Sequence, residues 1–220
     1  MKKLLKKFVK NNTYISACFY ILQNVIIHLK RFFNNHKTNS GTTHKSFSLD
    51  ESYTYITEVF SDYQKVAGKN EFHGKIAELG PGDSEGVALM FLAHGALHVD
   101  LADRFYSLRN FSKQQQIKQL LLSKYPSLHA VTDSNCVRHY GELASGERFF
   151  DYHKEYDFII SRSVLEHVDN PEIVLKKMFT SLAPGGMLIH KVDLRDHGMF
   201  TPFHHSLKFL EIHKIGRAHV

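Results

Sequence analysis

The chain of 220 residues contains no tryptophan, two cysteines and five prolines, and it has no acidic residue before Asp50. Each shortage excludes something. Cys18 and Cys136 are far apart and form no CxxC pair, so a disulfide-stapled fold or a paired-cysteine redox or zinc motif is excluded, and a reduced, cytoplasmic setting is the simplest expectation. An uninterrupted apolar run is also missing. The best candidate, within residues 1–33, is broken by Gln23, Asn24 and His28 and is near the short limit of about 20 residues for a bilayer span. The absence of early acids concentrates the net charge of +6. Nine of the 28 Lys and Arg precede Asp50, so residues 1–49 carry +9, and the remaining 19 basic against 22 acidic residues give −3. The basic character therefore belongs to an N-terminal extension, and the rest of the chain gives no reason to expect nucleic acid as a partner.

That extension opens MKKLLKKFVK and continues with Ile15, Phe19, Leu22, Val25, Ile26, Leu29, Phe32 and Phe33 at helical spacing. An amphipathic helix lying peripherally on an anionic inner membrane surface is expected, with packing on the core or on a second subunit as the alternative. No small-residue cleavage site marks it as a signal peptide, and Arg31 alone is too little arginine for a mitochondrial presequence. Asn34–Ser46 is polar and aperiodic and reads as a linker, so residues 1–47 form an extension and residues 48–214 a domain. Ser48 and Glu51 then form a capping-box pattern, followed by an apolar face of Ile56, Val59, Phe60, Tyr63 and Val66.

Residues 76–86 read IAELGPGDSEG, an apolar run ending in an acid, then a glycine-rich turn, then an apolar helix over Val87–Ala96. Gly80 and Gly82 suit positions of positive φ or of close ligand approach. Dinucleotide folds place a pyrophosphate at such a helix N-terminus, where the macrodipole amounts to roughly half a positive charge. Here Asp83 and Glu85 occupy that place, and Glu85 stands where a third glycine is required. Together with Glu78 they favour a cationic ligand, and the sulfonium and ammonium of S-adenosylmethionine fit. About twenty residues beyond the turn, GALHVDLADRF carries Asp103 at the spacing of an acid that meets a ribose hydroxyl pair. Asp100 competes for that role, but its mid-strand place reads as an exposed edge position. YDFIISRSVLEHV, an amphipathic segment with Ile173, Val174, Met178 and Leu182, and LAPGGMLIHKVDL follow. Strand, helix, strand, helix, strand predicts an α/β fold with an open, mostly parallel, doubly wound sheet covered by helices on both faces.

The segments ELGPGDSEG, LADRF, SRSVLEHV and LAPGGMLI, in this order over about residues 74–200, resemble the class I S-adenosylmethionine-dependent methyltransferases, in the branch with VLEHV and L-x-PGG motifs. The resemblance implies a Rossmann-like fold and S-adenosylmethionine as cofactor. It places Glu78, Gly80 and Gly82 at the methionine end and Asp103 at the ribose, with Ser161 and Leu165 bordering the cofactor. Glu142 is the candidate acid near the adenine, with Asp133 and Asp151 as alternatives. His167 in VLEHV reads better as a partly buried structural imidazole than as a catalytic one.

Methyl transfer is an in-line displacement at a carbon activated by positive sulfur, so the protein mainly positions the reactants and supplies a base. His190, Asp193 and His197 in HKVDLRDHG are the candidates for that base, with Asp196 beside them. A metal site from His190, Asp193, His197, His204 and His205 matches no ligand spacing, and no metal is expected. The expected acceptor is a small molecule or a membrane-linked saccharide or lipid. The alternatives are a non-catalytic cofactor-fold binding module and, less favoured by Asp83, Glu85 and LAPGG, a nicotinamide-dependent oxidoreductase. The resembled family continues past its fifth strand with a helix and two more strands. This chain stops soon after Leu210, and its last residues, IGRAHV, equal the translation of a common sequencing adapter. Ile215–Val220 is therefore expected to be a read-through scar on a C-terminally truncated domain, with the fifth strand left as an exposed edge.

Overall fold

The computed structural model describes residues 41–195, together with Lys37, Thr38 and seven positions between 15 and 26. The chain divides into two compact units. Met1–Asn35, Glu166–Asp169 and Val192–Val220 form one, and His36–Leu165 with Asn170–Lys191 form the other. In chain order the elements are β1 (Lys37–Thr38), α1 (Thr43–Ser46), α2 (Leu49–Ala67), β2 (Gly74–Leu79), α3 (Gly86–Ala93), β3 (Ala96–Asp103), β4 (Tyr106–Ser107), α4 (Phe111–Lys124), β5 (Cys136–Tyr140), α5 (Phe149–Tyr152), β6 (Tyr156–Arg162), α6 (Pro171–Phe179) and β7 (Leu182–Lys191).

Five strands form one sheet in the order β5-β3-β2-β6-β7, and every pairing in it is parallel. Such strands are covered on both faces, which is why the central ones read as nearly continuous apolar runs. Ile76, Ala77, Val99, Leu101, Ile159 and Ile160 are fully buried. Alternate residues divide between two layers. Ile76, Val99, Leu101, Phe158 and Ile160 join the core built with Ile56, Val59 and Phe60 of α2, Phe91 of α3 and Ile117 and Leu121 of α4. Phe149 and Phe150 of α5 and Val174 and Met178 of α6 are likewise buried, outside that core cluster. The fold is Rossmann-like and doubly wound, as the alternation of segments predicts.

Helix α2 begins with the expected capping box: Glu51 N–H donates to Ser48 Oγ (3.1 Å) and Ser48 N–H to Glu51 Oε2 (2.7 Å). It ends at Gly68 in the left-handed conformation. Val66, in its last turn, is exposed, in contrast to the other members of the predicted apolar face. The polar stretch read as a linker carries structure of its own. β1 pairs in parallel with β4, Gly41 O accepts from Asp83 N–H (2.8 Å), and α1 follows. Backbone hydrogen bonding to distant segments holds this stretch, and hydrophobic periodicity does not register that kind of bonding.

In the first unit, Ile15, Cys18, Phe19, Ile21, Leu22, Val25 and Ile26 are helical and exposed. The rest of the expected N-terminal helix and residues 215–220 lie outside the described residues. Among the described residues no helix is long and apolar enough to cross a membrane.

Candidate functional site

The chain runs outward from β2 through β3 to β5, then returns to the other side of β2 for β6 and β7. The strand order thus reverses between β2 and β6, and in open α/β sheets ligands bind outside the strand carboxyl ends at such a switch point. Glu78 and Leu79 end β2, Asp103 ends β3, and Ser161 lies beside Leu79 near the end of β6. Gly80 leaves β2 at φ +73°, its N–H donating to Ala102 O at 2.8 Å, and an added Cβ would lie 2.3 Å from Val164 Cγ2. Gly82 has φ +65°, and a Cβ there would meet Gly41 O at 2.7 Å. Both glycines are therefore required by conformation and by close contact.

The charges are arranged differently from the sequence expectation. Asp83 is buried and accepts the backbone N–H groups of His44 (3.4 Å) and Lys45 (3.1 Å), fastening α1 to the turn. Glu85 pairs with Arg109 (3.0 Å) and Arg138 (3.3 Å). Two of the three carboxylates assigned to a cationic ligand thus have internal partners, because their short side chains meet neighbouring donors that are remote in sequence. Arg138 is nearly buried and also donates to Gly82 O (2.9 Å) and Ser84 O (2.8 Å), so one guanidinium holds the turn at three points.

Glu78, the third of these carboxylates, lies near the end of β2, and Asp103, the acid expected at the ribose, ends the adjacent β3. Burial pushes the Glu78 carboxyl up to about 7, the negative Asp103 adds to this, and Arg138 opposes it. Burial likewise raises Asp103 to about 6, against the pull of backbone donors at Phe105 and Gly82 and of Arg138. Two neighbouring carboxyls held this high form a site whose ionised state a cation would stabilise. Tyr63, from α2, is buried with its hydroxyl unbonded, and the charge of Glu78 adds to burial in raising it. A buried donor near the raised Glu78 carboxyl fits a ligand bearing both positive charge and polar groups.

The remaining predicted residues take varied places. Glu142 follows β5 in a single 3₁₀ turn and is held in a fork by Arg104 (3.1 and 3.2 Å). Ser161 is buried and its Oγ lies 2.8 Å from His190 Nδ1. Leu165 is buried in the 3₁₀ turn after β6. Ser163, just before it, stands at φ +53°, a conformation costly for a residue with a side chain and a mark of functional loops. His190 is lowered to about 4 by burial, so it is neutral near pH 7 and a weak proton acceptor. In the first unit, Asp193 is gripped by Arg195 (2.6 and 2.9 Å) and its N–H donates to Glu166 Oε1. His197, with Asp196, lies outside the described residues, as do His204 and His205. Asp133 and Asp151 lie elsewhere, with Asp133 near Lys118 and Asp151 paired to Lys177. Asp100 is no edge residue: it is buried in β3 and hydrogen-bonded to Tyr156 and His139. Sequence reasoning missed Arg138 and Tyr63. Neither lies in a recognisable motif, and only the register of β5 on β3 and the packing of α2 bring them to the site.

A methyltransferase-domain family profile matches residues 52–216. The chain belongs to that family. The class that the fold and the family model define together is the methyltransferase domain. Among solved structures, an S-adenosylmethionine-dependent methyltransferase from Mesorhizobium loti is similar at 17% identity and a TM-score of 0.39, covering 61% of this chain and 54% of that one. Coclaurine N-methyltransferase bound to N-methylheliamine and S-adenosylhomocysteine is similar at 18% identity and a TM-score of 0.40, covering 66% and 37%. The YcgJ protein of Bacillus subtilis is similar at 13% and 0.41, covering 60% and 50%. The chain thus spans 37% to 54% of the length of these three. No curated protein matches the sequence significantly.

Proposed function

We propose that the protein binds S-adenosylmethionine at the carboxyl ends of β2, β3 and β6 and transfers its methyl group to a nucleophile on a small molecule or on a membrane-linked saccharide or lipid. The observation that carries this reading is the pair of buried, raised carboxyls, Glu78 and Asp103, on adjacent strands beside the glycine turn. In this reading Glu78, Gly80 and Gly82 receive the methionine end, and Asp103 accepts from the ribose hydroxyls. Glu142, oriented by Arg104, lies toward the adenine, while Ser161 and Leu165 form the far wall. S-adenosylmethionine supplies the activated methyl carbon, and the residues orient it for in-line attack. His190, neutral and bonded to Ser161, orients this wall. The exposed apolar positions from Ile15 to Ile26 support a peripheral membrane contact at a cytoplasmic surface.

Titration calorimetry with S-adenosylmethionine, S-adenosylhomocysteine and NAD tests the reading. Asp103→Ala removes a hydrogen bond to a charged acceptor, worth about 1.5–3 kcal/mol, so binding of both adenosyl ligands should weaken roughly ten- to hundredfold. Unchanged affinity in Asp103→Ala, or binding of NAD with none of the adenosyl ligands, would overturn it.

A further inference from the structure

On the sheet face away from Glu78, three side chains that no motif connects come together. Asp100 lies mid-strand in β3, His139 in β5, and His153 just beyond α5. One donor atom from each falls within 4.8 Å of the others. Asp100 is almost completely buried, while both histidines are partly open to solvent, which gives an ion a way in. We propose that Asp100, His139 and His153 form a divalent transition-metal site, with zinc as its best-matched ion, separate from the methyl-donor crevice.

The surroundings are those of a ligand set already held in place. His139 Nε2 is 2.7 Å from Asp100 Oδ1, and Tyr156 donates its hydroxyl to Asp100 Oδ2 at 2.7 Å. Outer partners of this sort orient the first-shell groups of metal sites, and here the tyrosine fixes the carboxylate through the oxygen the metal does not need. Phe149 stacks on His153, with centroids 4.2 Å apart and planes at 12°, and packs against His139 at 5.2 Å, so one ring positions both imidazoles. His98 approaches the same Oδ1 through Nε2 at 3.1 Å while its Nδ1 donates to Ser134 O at 3.0 Å, which leaves a further imidazole beside the carboxylate.

Two imidazoles and one carboxylate, with a position left for water or a fourth ligand, are the donors zinc prefers. Zinc–ligand bonds of about 2.0–2.2 Å in a tetrahedron set donor atoms roughly 3.3 Å apart. His139 and Asp100 must therefore open by about half an ångström as His153 closes in, a side-chain adjustment. The contact between Asp100 and His139 is the hydrogen bond that the metal replaces, since a ligating imidazole gives up the proton on that nitrogen. Lys75, whose Nζ lies 3.5 Å from Asp100 Oδ2, is the one lysine or arginine ion-paired to that carboxylate among the described residues, and it opposes the bound ion. A metal here ties β3, β5 and the segment leading to β6, so binding would be coupled to the stability of this edge of the sheet.

The test uses the chain of residues 1–220, stripped with chelator and titrated with zinc chloride by calorimetry, with cobalt(II) absorption as a report on coordination. One zinc per chain and a tetrahedral cobalt spectrum are expected. His153→Gln, on a segment outside the sheet, should weaken zinc by more than about tenfold, the least that loss of even an outer partner costs, with an unchanged far-ultraviolet spectrum. Lys75→Gln should tighten it. His129→Gln, at an exposed histidine, should leave it unchanged. Absence of zinc binding by the folded chain would overturn the proposal. So would zinc affinity and a cobalt spectrum that survive both His153→Gln and His139→Gln, because the ion would then belong to others of the sixteen histidines.

Discussion

Replacing Glu78 by glutamine keeps the side chain's shape and removes its titration. Burial and Asp103 raise the Glu78 carboxyl from an ordinary 4.5 to about 7 in the folded chain. Below pH 4.5 both folded and unfolded states hold the proton, and the group contributes no difference. Between 4.5 and 7 the unfolded chain ionises while the folded chain resists, so folded stability falls as pH rises. Well above 7 the loss levels off, and at 1.36 kcal/mol per pH unit it amounts to about 3 kcal/mol, most of it between pH 5 and 8. Glu78→Gln should escape this loss. Urea denaturation of both proteins without ligand at pH 5 and 8.5 measures it, and the stability difference should move in favour of the variant by about 2–3 kcal/mol on going to the higher pH. The same variant should bind S-adenosylmethionine more weakly at pH 8.5, where it lacks the charge the native chain carries. A stability difference that stays constant within about 1 kcal/mol across this interval would refute the reasoning.

Arg138→Met leaves the carbonyls of Gly82 and Ser84 without their donor and Glu85 with Arg109 alone. It should cost roughly 3 kcal/mol, read as a fall of about 6–12 °C in Tm by scanning calorimetry. Gly80→Ala combines a left-handed conformation with a Cβ inside Val164, and should destabilise by roughly 2–4 kcal/mol. Adding Val164→Ala relieves the contact and should restore all but the conformational part of roughly 1–2 kcal/mol, so a double-mutant cycle with no coupling would reject that account.

The parallel sheet and its glycine turns were legible because strands buried on both faces must be apolar throughout and because turns at φ above zero call for glycine. The run ending at Glu78, the glycines at 80 and 82 and the LAPGG strand each carry one of these signals. What escaped was pairing between distant positions. Asp83 and Glu85 have the right charge for a cation, yet Asp83 meets the amides of His44 and Lys45, and Glu85 meets Arg109 and Arg138. Nothing local marks an arginine in β5 as the clamp of a turn more than fifty residues earlier. Thr38, Gly41, His44 and Lys45 were unreadable for a related reason: backbone groups bind them to β4 and to the turn, and any polar sequence could supply those groups. Asp100 misled for the opposite reason, since a charged residue mid-strand implies exposure unless partners such as Tyr156 and His139 arrive from elsewhere.

The attachment of Gly41, His44 and Lys45 to the loop of Gly82 and Asp83 has a practical side. The unit that carries the sheet begins at His36, well ahead of the first long helix. A version trimmed at Ser48 would retain the five parallel strands and every motif residue, yet Asp83 would face water with two amides gone and Gly82 would lose the carbonyl packed against it. Such a protein could fold and still grip its methyl donor loosely. Affinity lost on shortening this end would then reflect slack in the loop, with each residue assigned to ligand contact still in place.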